Sequence, residues 1–217
     1  ARTFAPLKFN VNGVSFEMII VDGGTFQMGS NDPNAYNDEK PVHTETVSIF
    51  GIGKTQVTQE LWEAVMGSKP RNFESKKCPV YSVYWDDCNE FIRKLNNLTG
   101  KKFRFPTEAE WEFAARGGNL SKGYKYSGSD NVEEVAWYCP YASGPAPVAW
   151  KKPNELGIYD MSGNVFEWCA ERDRYYGHKY RGGCWGLGPK DCRSTSRGHN
   201  SYGFIEYHGL RLALDLD

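Results

Sequence analysis

Short apolar runs separated by turn residues occupy the first quarter of the chain, a pattern typical of β-strands. Residues 16–21 are apolar and partly β-branched, 22–24 (DGG) are turn formers, and 25–28 resume the strand pattern. This order predicts a β-hairpin. A polar, turn-rich stretch covers 31–40, and alternation over 44–52 predicts one further strand.

The next part of the chain changes to a helical period. Thr58 is a candidate N-cap for a helix over 59–66 that ends at Gly67. A second helix is predicted over 86–98, closed by Gly100, because apolar residues recur at i, i+3, i+4 and i+7. Its expected buried face consists of Cys88, Phe91, Ile92 and Leu95.

A third, shorter helix is predicted to begin at a capping box. Thr107 and Glu110 have the spacing of that motif beside Pro106, and the helix should run through Ala115. The carboxylates at 108, 110 and 112 then serve the helix start, rather than forming a catalytic cluster. After this helix, glycine, proline and aromatic residues dominate, and we expect irregular coil with short strands.

Composition agrees with a loop-rich domain that packs aromatic side chains. The 217 residues include 23 Gly, 11 Pro, 7 Trp and 13 Tyr, which favours an α+β fold over a helical bundle. No composition break divides the chain, so one domain over 1–217 is predicted. A net charge of −1 argues against a nucleic-acid partner. No apolar run approaches the roughly 18 residues that a membrane-spanning helix needs.

Histidine and cysteine spacing gives no metal-binding motif. Neither H-x-x-x-H nor C-x-x-C occurs, so we expect no metal ligand among these residues. The even number of cysteines allows disulfides without requiring them. The six cysteines are Cys78, Cys88, Cys139, Cys169, Cys184 and Cys192, and the four histidines are His43, His178, His199 and His208.

Five segments, in this order, resemble the formylglycine-generating enzyme (sulfatase-modifying factor) family. They are 21–30 (VDGGTFQMGS), 106–112 (PTEAEWE), 153–157 (PNELG), 163–168 (GNVFEW) and 181–183 (RGG). The resemblance implies a C-type-lectin-like fold of the formylglycine-generating type, with two main helices, twisted antiparallel sheets and much irregular coil. Function does not follow from that fold, because activity depends on the site.

The resemblance implies that catalysis would depend on two copper-binding cysteines, five positions apart, after the Arg-Gly-Gly motif. Here Cys192 falls at the second position, and Leu187 falls at the first; Cys184 is the other thiol of this segment. The histidines do not supply the iron-binding set of the sulfoxide-synthase branch. We therefore expect no catalytic cofactor.

Calcium is a separate question for the loop that contains the 163–168 motif. The resemblance implies calcium ligands near Asp160, Gly163, Val165 and Glu167. A turn that satisfies its own backbone groups is the alternative.

The end of the chain also resembles the variable proteins of diversity-generating retroelements, above all the treponemal kind. Those proteins keep a framework and diversify the positions between its fixed points. The framework here comprises Arg181, Gly182, Gly183, Trp185, Cys192, Arg193, Arg197, Gly209 and Arg211. The interval positions, the candidate ligand-binding residues within 181–211, are Gly186, Leu187, Pro189, Lys190, Asp191, Gly198, His199, Ser201, Tyr202, Phe204, Ile205, Tyr207 and His208.

The interval chemistry suits recognition, since aromatic anchors and small polar residues on loops are typical of binding surfaces. An aromatic patch is expected at 202–208, although Phe204 and Ile205 fit a core equally well. The first hypothesis is a non-catalytic binding protein for an unknown macromolecule, displayed on a bacterial surface through an N-terminal lipid anchor outside this sequence. The alternatives are an oxidase of peptidyl cysteine that uses Cys192 and Cys184, and a purely structural module.

Overall fold

A computed structural model describes residues 2–72, 74–139, 142–200 and 205–216, and the backbone alone for His199 and Asn200. The described strands, in chain order, are β1 (Leu7–Val11), β2 (Val14–Val21), β3 (Gly24–Met28), β4 (His43–Val47), β5 (Phe50–Gly53), β6 (Phe103–Arg104), β7 (Phe166–Asp173), β8 (Gly177–Arg181), β9 (Arg197–Asn200), β10 (His208–Gly209) and β11 (Ala213–Leu214). The α-helices are α1 (Gln59–Met66), α2 (Trp85–Thr99), α3 (Glu108–Ala115) and α4 (Val132–Val135).

The strands form three sheets. The largest is antiparallel, in the order β1-β2-β5-β11-β6, and the smallest pairs β3 with β4. The third has the order β10-β7-β8-β9, in which β10 runs parallel to β7 and the other pairs are antiparallel. The predicted α+β fold of the formylglycine-generating type, with antiparallel sheets and much coil, is confirmed.

The predicted hairpin over 16–28 is wrong. Strand β2 pairs with β1 through a tight turn at Asn12 and Gly13, both of which have positive φ. Strand β3 instead pairs with β4. A Cβ at Gly23 would lie 2.6 Å from the Val47 carbonyl oxygen, so this glycine lets the chain leave one sheet and enter another against a neighbouring backbone.

The single strand predicted over 44–52 is two strands in different sheets. Strand β4 belongs to the small sheet, and β5 lies in the large sheet between β2 and β11. All four residues of β5 are buried, as expected for a strand in the middle of a covered sheet.

The three longer helices are confirmed close to their predicted bounds. Thr58 caps α1, and Gly67 and Gly100 end α1 and α2 in the left-handed conformation. The Thr107–Glu110 capping box opens α3. Helix α4, a single turn, was not predicted, because four residues are too few to show a helical period.

Two apolar cores hold the helices that position the C-terminal segment. In one, α1 and α2 pack together, with the Trp62 and Phe91 rings stacked 5.1 Å apart. In the other, α3 is buried against the large sheet, and Trp111 is fully enclosed. Because α3 also contacts β7 and β8, its polar side chains reach the sheet that carries residues 181–211.

Candidate functional site

Arg181, the last residue of β8, has a fully buried side chain beside α3. Its Nε donates to Glu108 Oε1 and its Nη1 to Glu112 Oε2, both at 2.9 Å. Arg197 on β9 donates to the same Glu108, from Nε at 3.0 Å and from Nη2 at 2.5 Å. One carboxylate of α3 therefore joins two neighbouring strands of the C-terminal sheet.

The charge balance of this cluster keeps both carboxylates ionised. Burial by itself would raise the pKa of Glu108, but Arg181 and Arg197 outweigh it and hold that pKa below its ordinary value. Burial likewise opposes ionisation of Glu112, whose pKa is nevertheless lowered by Arg181 and Arg116. Removing one partner would leave a desolvated charge unpaired, which is strongly destabilising.

The three glutamates of α3 therefore do not share one role. Glu110 acts as predicted for a helix start: its Oε2 accepts the Thr107 backbone N–H at 2.9 Å. Glu110 also binds Arg104 at 2.7 Å, whereas Glu108 and Glu112 bind arginines without capping the helix. Helical spacing explains the division, since residues four apart lie on one face.

Arg193 forms a second buried pair with Glu39, which lies far away in sequence. Its Nη2 donates to Glu39 Oε1 at 2.6 Å and its Nη1 to Oε2 at 3.1 Å. The Thr195 hydroxyl donates to the same carboxylate at 2.5 Å, and Arg193 Nε binds the Lys190 carbonyl at 2.8 Å. This two-point pair fixes the turn that follows residues 186–191.

Arg211 and Glu167 form a third buried pair. Nε and Nη2 of Arg211 donate to the two carboxylate oxygens at 2.9 Å each, and Nη1 donates to the Gly53 carbonyl at 2.8 Å. The Trp111 indole N–H donates to Glu167 Oε2 at 2.6 Å. The last framework arginine is therefore tied to the large sheet and to α3.

At three of the four positions expected to bind calcium, an oxygen is already bonded to one amide donor. Gln56 Nε2 donates to the Asp160 carbonyl at 3.3 Å, to the Val165 carbonyl at 3.1 Å and to Glu167 Oε1 at 2.8 Å. An amide nitrogen thus lies where these oxygens converge, and Arg211 neutralises Glu167. This donor set does not fit calcium, so the alternative of a turn satisfied by the protein itself describes the loop.

Two framework glycines lie so close to neighbouring atoms that a side chain would not fit. A Cβ at Gly183 would lie 2.8 Å from Cys192 Sγ, and one at Gly209 would lie 2.4 Å from the Val80 carbonyl oxygen. Such distances leave no room for a side chain. These two framework positions require glycine for packing reasons.

The interval positions lie in mixed surroundings. Leu187, Pro189 and Lys190 are exposed, and Gly186, Asp191, Gly198, Ile205 and Tyr207 are half-buried. Ser201, Tyr202 and Phe204 lie outside the described residues, as does the side chain of His199. Ile205 packs against the apolar core, so the core alternative left open for it has structural support.

Including His208 in the exposed aromatic patch is wrong. Its side chain is only 2% exposed and stacks on Trp168, with the ring centroids 4.3 Å apart. The Tyr180 ring packs edge-on against it, with the ring centroids 4.4 Å apart. Because His208 begins a strand that pairs with β7, its side chain is directed into the sheet packing instead of towards solvent.

Tyr207 and Tyr36 connect the interval positions to one another and to the N-terminal half. A Cβ at Gly186 would lie 2.6 Å from the Tyr207 ring, which also packs 4.8 Å from Trp185. The Tyr36 hydroxyl donates to Asp191 Oδ1 at 3.1 Å, and Lys190 Nζ lies 3.9 Å from the Tyr36 ring centroid. The described interval positions in 186–191 and Tyr207 therefore share one surface.

The two cysteines of the oxidase alternative are both fully buried. Burial raises the pKa of Cys184 to about 12 and raises that of Cys192 further above its ordinary value. The thiolate is the reactive form of cysteine, so neither thiol is activated for nucleophilic chemistry in the metal-free protein. Leu187, at the first catalytic position, is a 37% exposed hydrocarbon side chain, and the set does not fit a two-cysteine copper site.

Within the described residues, no group of three or more His, Cys, Asp or Glu side chains could hold a metal ion. No described helix is both long and apolar enough to cross a membrane.

Comparisons with known proteins agree on one family. The family described as "Sulfatase-modifying factor enzyme 1-like domain" matches residues 7–216. Among solved structures, the chain is similar to Treponema denticola variable protein 1, with a TM-score of 0.87 and 30% identity, over 98% of this chain and 99% of that one. Both resemblances inferred from the sequence are therefore confirmed.

Curated relatives carry several names. Chaperone protein LppX of Paenibacillus barcinonensis is 37% identical, over 73% of this chain and 72% of that protein. The formylglycine-generating enzyme of Streptomyces coelicolor is 36% identical, over 69% and 67%. Inactive C-alpha-formylglycine-generating enzyme 2 of Bos taurus is 26% identical, over 74% and 72%. In the serine/threonine-protein kinase Pkn1 of Chlamydia trachomatis, at 29% identity, the match spans only 38% of that protein.

Sequence reasoning missed the partners of the framework arginines. Glu39 was part of a turn-rich stretch, Glu167 was assigned to a calcium loop, and Gln56 was not singled out at all. Four arginines at fixed positions were the available signal, because a buried guanidinium requires a carboxylate. The signal shows that partners exist, but it does not identify them across sequence separations of 44 to 154 residues.

Proposed function

The chain belongs to the sulfatase-modifying factor enzyme 1-like family, and from that premise we propose that it is a non-catalytic binding protein with a variable C-terminal surface. Relatives of this chain carry names that refer to different activities. The proposal therefore rests on the site and not on membership.

The observation that carries it is the contrast between framework and interval positions along 181–211. Arg181, Arg193 and Arg211 are buried and paired with carboxylates outside the segment. Leu187 and Lys190 have exposed side chains, and Arg193 holds the turn of Lys190 by binding its carbonyl. A surface of this kind can change its side chains while its backbone keeps one course, which is what a diversified binding protein requires.

The ligand we propose is a macromolecule, bound at the described surface of Leu187, Pro189, Lys190, Asp191 and Tyr207. Ser201, Tyr202, Phe204 and His199 belong to the same proposal by their sequence position. An aromatic ring beside small and charged side chains suits protein recognition. We further propose display on a bacterial surface through an N-terminal lipid anchor.

The second candidate is an oxidase of peptidyl cysteine, favoured by the match to a formylglycine-generating enzyme. It would depend on Cys192 together with Cys184. Burial of both thiols and a leucine at the first catalytic position count against it.

The genomic neighbourhood of the coding sequence tests the binding proposal most directly. A diversity-generating retroelement requires a reverse transcriptase nearby and an imperfect repeat of the region encoding 181–211. We expect both, with mismatches concentrated in the codons of interval positions. A neighbourhood lacking both elements would refute the variable-protein proposal.

Copper titration combined with a peptide oxidation assay tests the oxidase. We expect neither stoichiometric copper binding nor turnover. Turnover that disappears in Cys192→Ser, but persists in the control Cys78→Ser, would establish the second candidate instead. Cys78 suits the control because it is buried like Cys192 and lies outside the C-terminal segment.

A further inference from the structure

Two exposed tyrosines lie side by side at the tip of the β7–β8 hairpin, residues 172–177. Tyr175 and Tyr176 are 76% and 54% exposed, and their ring centroids lie 6.4 Å apart. Arg174 is exposed as well, and its guanidinium carbon lies 5.9 Å from the centroid of the Tyr175 ring. Tyrosine and arginine are enriched among the residues that carry most of the binding energy at protein interfaces. The composition of the hairpin tip is therefore that of an interaction surface.

The backbone of the hairpin tip is fixed by its own hydrogen bonds. Asp173 pairs with Gly177 across the hairpin, and Gly177 has a φ of 83°, in the left-handed region that favours glycine. Asp173 Oδ1 accepts the backbone N–H groups of Tyr175 at 2.8 Å and of Tyr176 at 3.0 Å. Because the turn is ordered before a partner arrives, binding costs less conformational entropy.

The stem of the hairpin is packed against buried aromatic residues. The His178 ring stacks on Trp85, with the ring centroids 4.1 Å apart, and Trp85 also stacks on Phe105 at 4.5 Å. The Trp85 indole N–H donates to the Cys169 carbonyl at 3.1 Å. The exposed tyrosines are thus displayed from a rigid support, as binding residues on a stable scaffold generally are.

The charge of the hairpin tip is positive. Residues 172–179 contain three cations, Arg172, Arg174 and Lys179, and a single carboxylate, Asp173, which Lys179 contacts at 3.8 Å. Within the described part of the chain, neither exposed arginine has a carboxylate at ion-pair distance. Asp86 of α2 lies near the histidine of the stem. Two guanidinium groups at the tip therefore remain to pair with carboxylates of a partner.

The side chains of the hairpin tip favour a protein over a lipid bilayer. A turn that inserts into a membrane needs apolar side chains that can leave water. Residues 172–177 (RDRYYG) contain no aliphatic side chain, and both aromatic rings carry a hydroxyl group. Tyrosine rings of this kind supply contact area and hydrogen bonds together, which suits a protein surface.

We propose that the hairpin tip binds an acidic segment of a partner protein. Arg172 and Arg174 pair with carboxylates of that segment, and the rings of Tyr175 and Tyr176 pack beside them. This surface does not depend on the variable-protein proposal, because all its residues lie outside 181–211. Absence of a retroelement would leave it intact.

A random-peptide display library selected on the full chain tests this surface. Depletion on the double variant Arg174→Ser with Tyr175→Ser leaves only the peptides that require the hairpin tip. We expect these peptides to contain an excess of Asp and Glu. In fluorescence anisotropy, the labelled peptides should bind the double variant at least about tenfold more weakly than the wild type. Added salt should weaken their binding to the wild type.

A matched control removes the same chemistry elsewhere on the surface. Lys122→Ser with Trp150→Ser removes one exposed cation and one exposed aromatic ring, and it should leave the affinity for the selected peptides unchanged. Asp173→Ala removes the acceptor that orders the turn and should weaken binding. Asp173→Asn keeps a carbonyl oxygen at that position and should bind at least as tightly as the wild type. Unchanged melting temperatures show that the variants are folded.

Two kinds of result would overturn the proposal. In one, the selection yields no peptide that distinguishes the wild type from the double variant, or it yields peptides without an acidic excess. In the other, phosphatidylglycerol vesicles sediment the wild type but not the double variant, which would assign the hairpin tip to a membrane surface instead.

Discussion

Framework and interval positions alternate along one stretch of chain, yet they obtain their places from different parts of the molecule. Arg181 is held by α3, Arg193 by Glu39, and Arg211 by Glu167 of β7. Leu187 is positioned by backbone hydrogen bonds, and Lys190 by the bond from Arg193 to its carbonyl and by its contact with the Tyr36 ring. Because the anchoring carboxylates lie outside 181–211, interval side chains can differ without removing the interactions that order the segment.

The anchors differ from ordinary core contacts in what they specify. A hydrophobic contact tolerates sliding, whereas a two-point guanidinium–carboxylate pair fixes distance and orientation. Buried pairs often add little net stability over apolar residues of the same size, but losing one partner is costly. We interpret the three pairs as devices that fix the course of the C-terminal chain.

The largest effect is expected for the loss of Arg193, in comparison with the loss of Lys190 in the same turn. Arg193 is buried against Glu39, while Lys190 is exposed, and both lie over the Tyr36 ring. Arg193→Ala should lower the free energy of unfolding by about 3–5 kcal/mol, because Glu39 is left buried and unpaired. Lys190→Ala should lower it by about 1 kcal/mol or less. Urea denaturation of the two variants measures both.

Similar losses in the two variants would break the distinction between framework and interval positions. A restored free energy of unfolding in the double variant Arg193→Met with Glu39→Leu would attribute the loss to the unpaired charge.

Much of the scaffold could be predicted from local signals. Thr58, Thr107 and Gly100 specify helix ends through caps within a few residues of sequence. The same kind of signal at Asn12 and Gly13, a strong hairpin turn, was overlooked in favour of residues 22–24. Sheet assignment then failed because strand partners depend on distant segments, as the separation of β4 from β5 demonstrates.

The candidate site was predictable only in part. Motif spacing identified the framework residues, but it could not show that Glu39 or Glu167 would pair with them. Periodicity placed His208 beside Tyr207 without showing which of the two faces the core. The assignment of 1–217 to a single domain and the binding role of the interval positions stay predictions.

The buried carboxyl group of Asp160 differs from the arginine-paired carboxylates near the framework residues. Its Oδ2 accepts the Ala149 backbone N–H at 2.7 Å, and burial raises its pKa to about 6. A carboxyl group with a raised folded-state pKa costs stability as the pH rises from its unfolded pKa, about 4, through that value. Asp160→Asn removes this cost, so the variant should gain about 1–3 kcal/mol relative to the wild type between about pH 4 and pH 7.

Thermal denaturation at several pH values measures how the stability difference between Asp160→Asn and the wild type changes with pH. This pH dependence is not affected by any constant effect of the amide. Glu108→Gln should have the opposite dependence, because its folded-state pKa is lowered. The stability that Glu108→Gln loses relative to the wild type should become smaller as the pH falls below about 4. The same slope for both variants would contradict the contrast between paired and unpaired carboxylates.

Gly198 is an interval position that the structure holds like a framework residue. A Cβ there would lie 2.4 Å from the Tyr180 ring, whereas one at Gly188 would meet nothing within 4 Å. Gly198→Ala should therefore cost about 1–2 kcal/mol through displacement of a packed ring. Gly188→Ala should be neutral or slightly stabilising. Equal melting temperatures would return Gly198 to the freely variable set.

The smallest expected effect belongs to Leu187. Its backbone is fixed, since the N–H donates to the Cys184 carbonyl at 3.3 Å and the carbonyl accepts from Cys139 N–H at 3.1 Å. Its exposed side chain contributes little to packing, so Leu187→Ser should change the free energy of unfolding by less than about 0.5 kcal/mol. Leu210→Ser, at a fully buried leucine, is the matched control and should cost several kcal/mol. Because backbone bonds and not the side chain position this turn, amide exchange at Cys139 should be the same in Leu187→Ser as in the wild type; faster exchange would mean that this interval side chain helps to hold the framework.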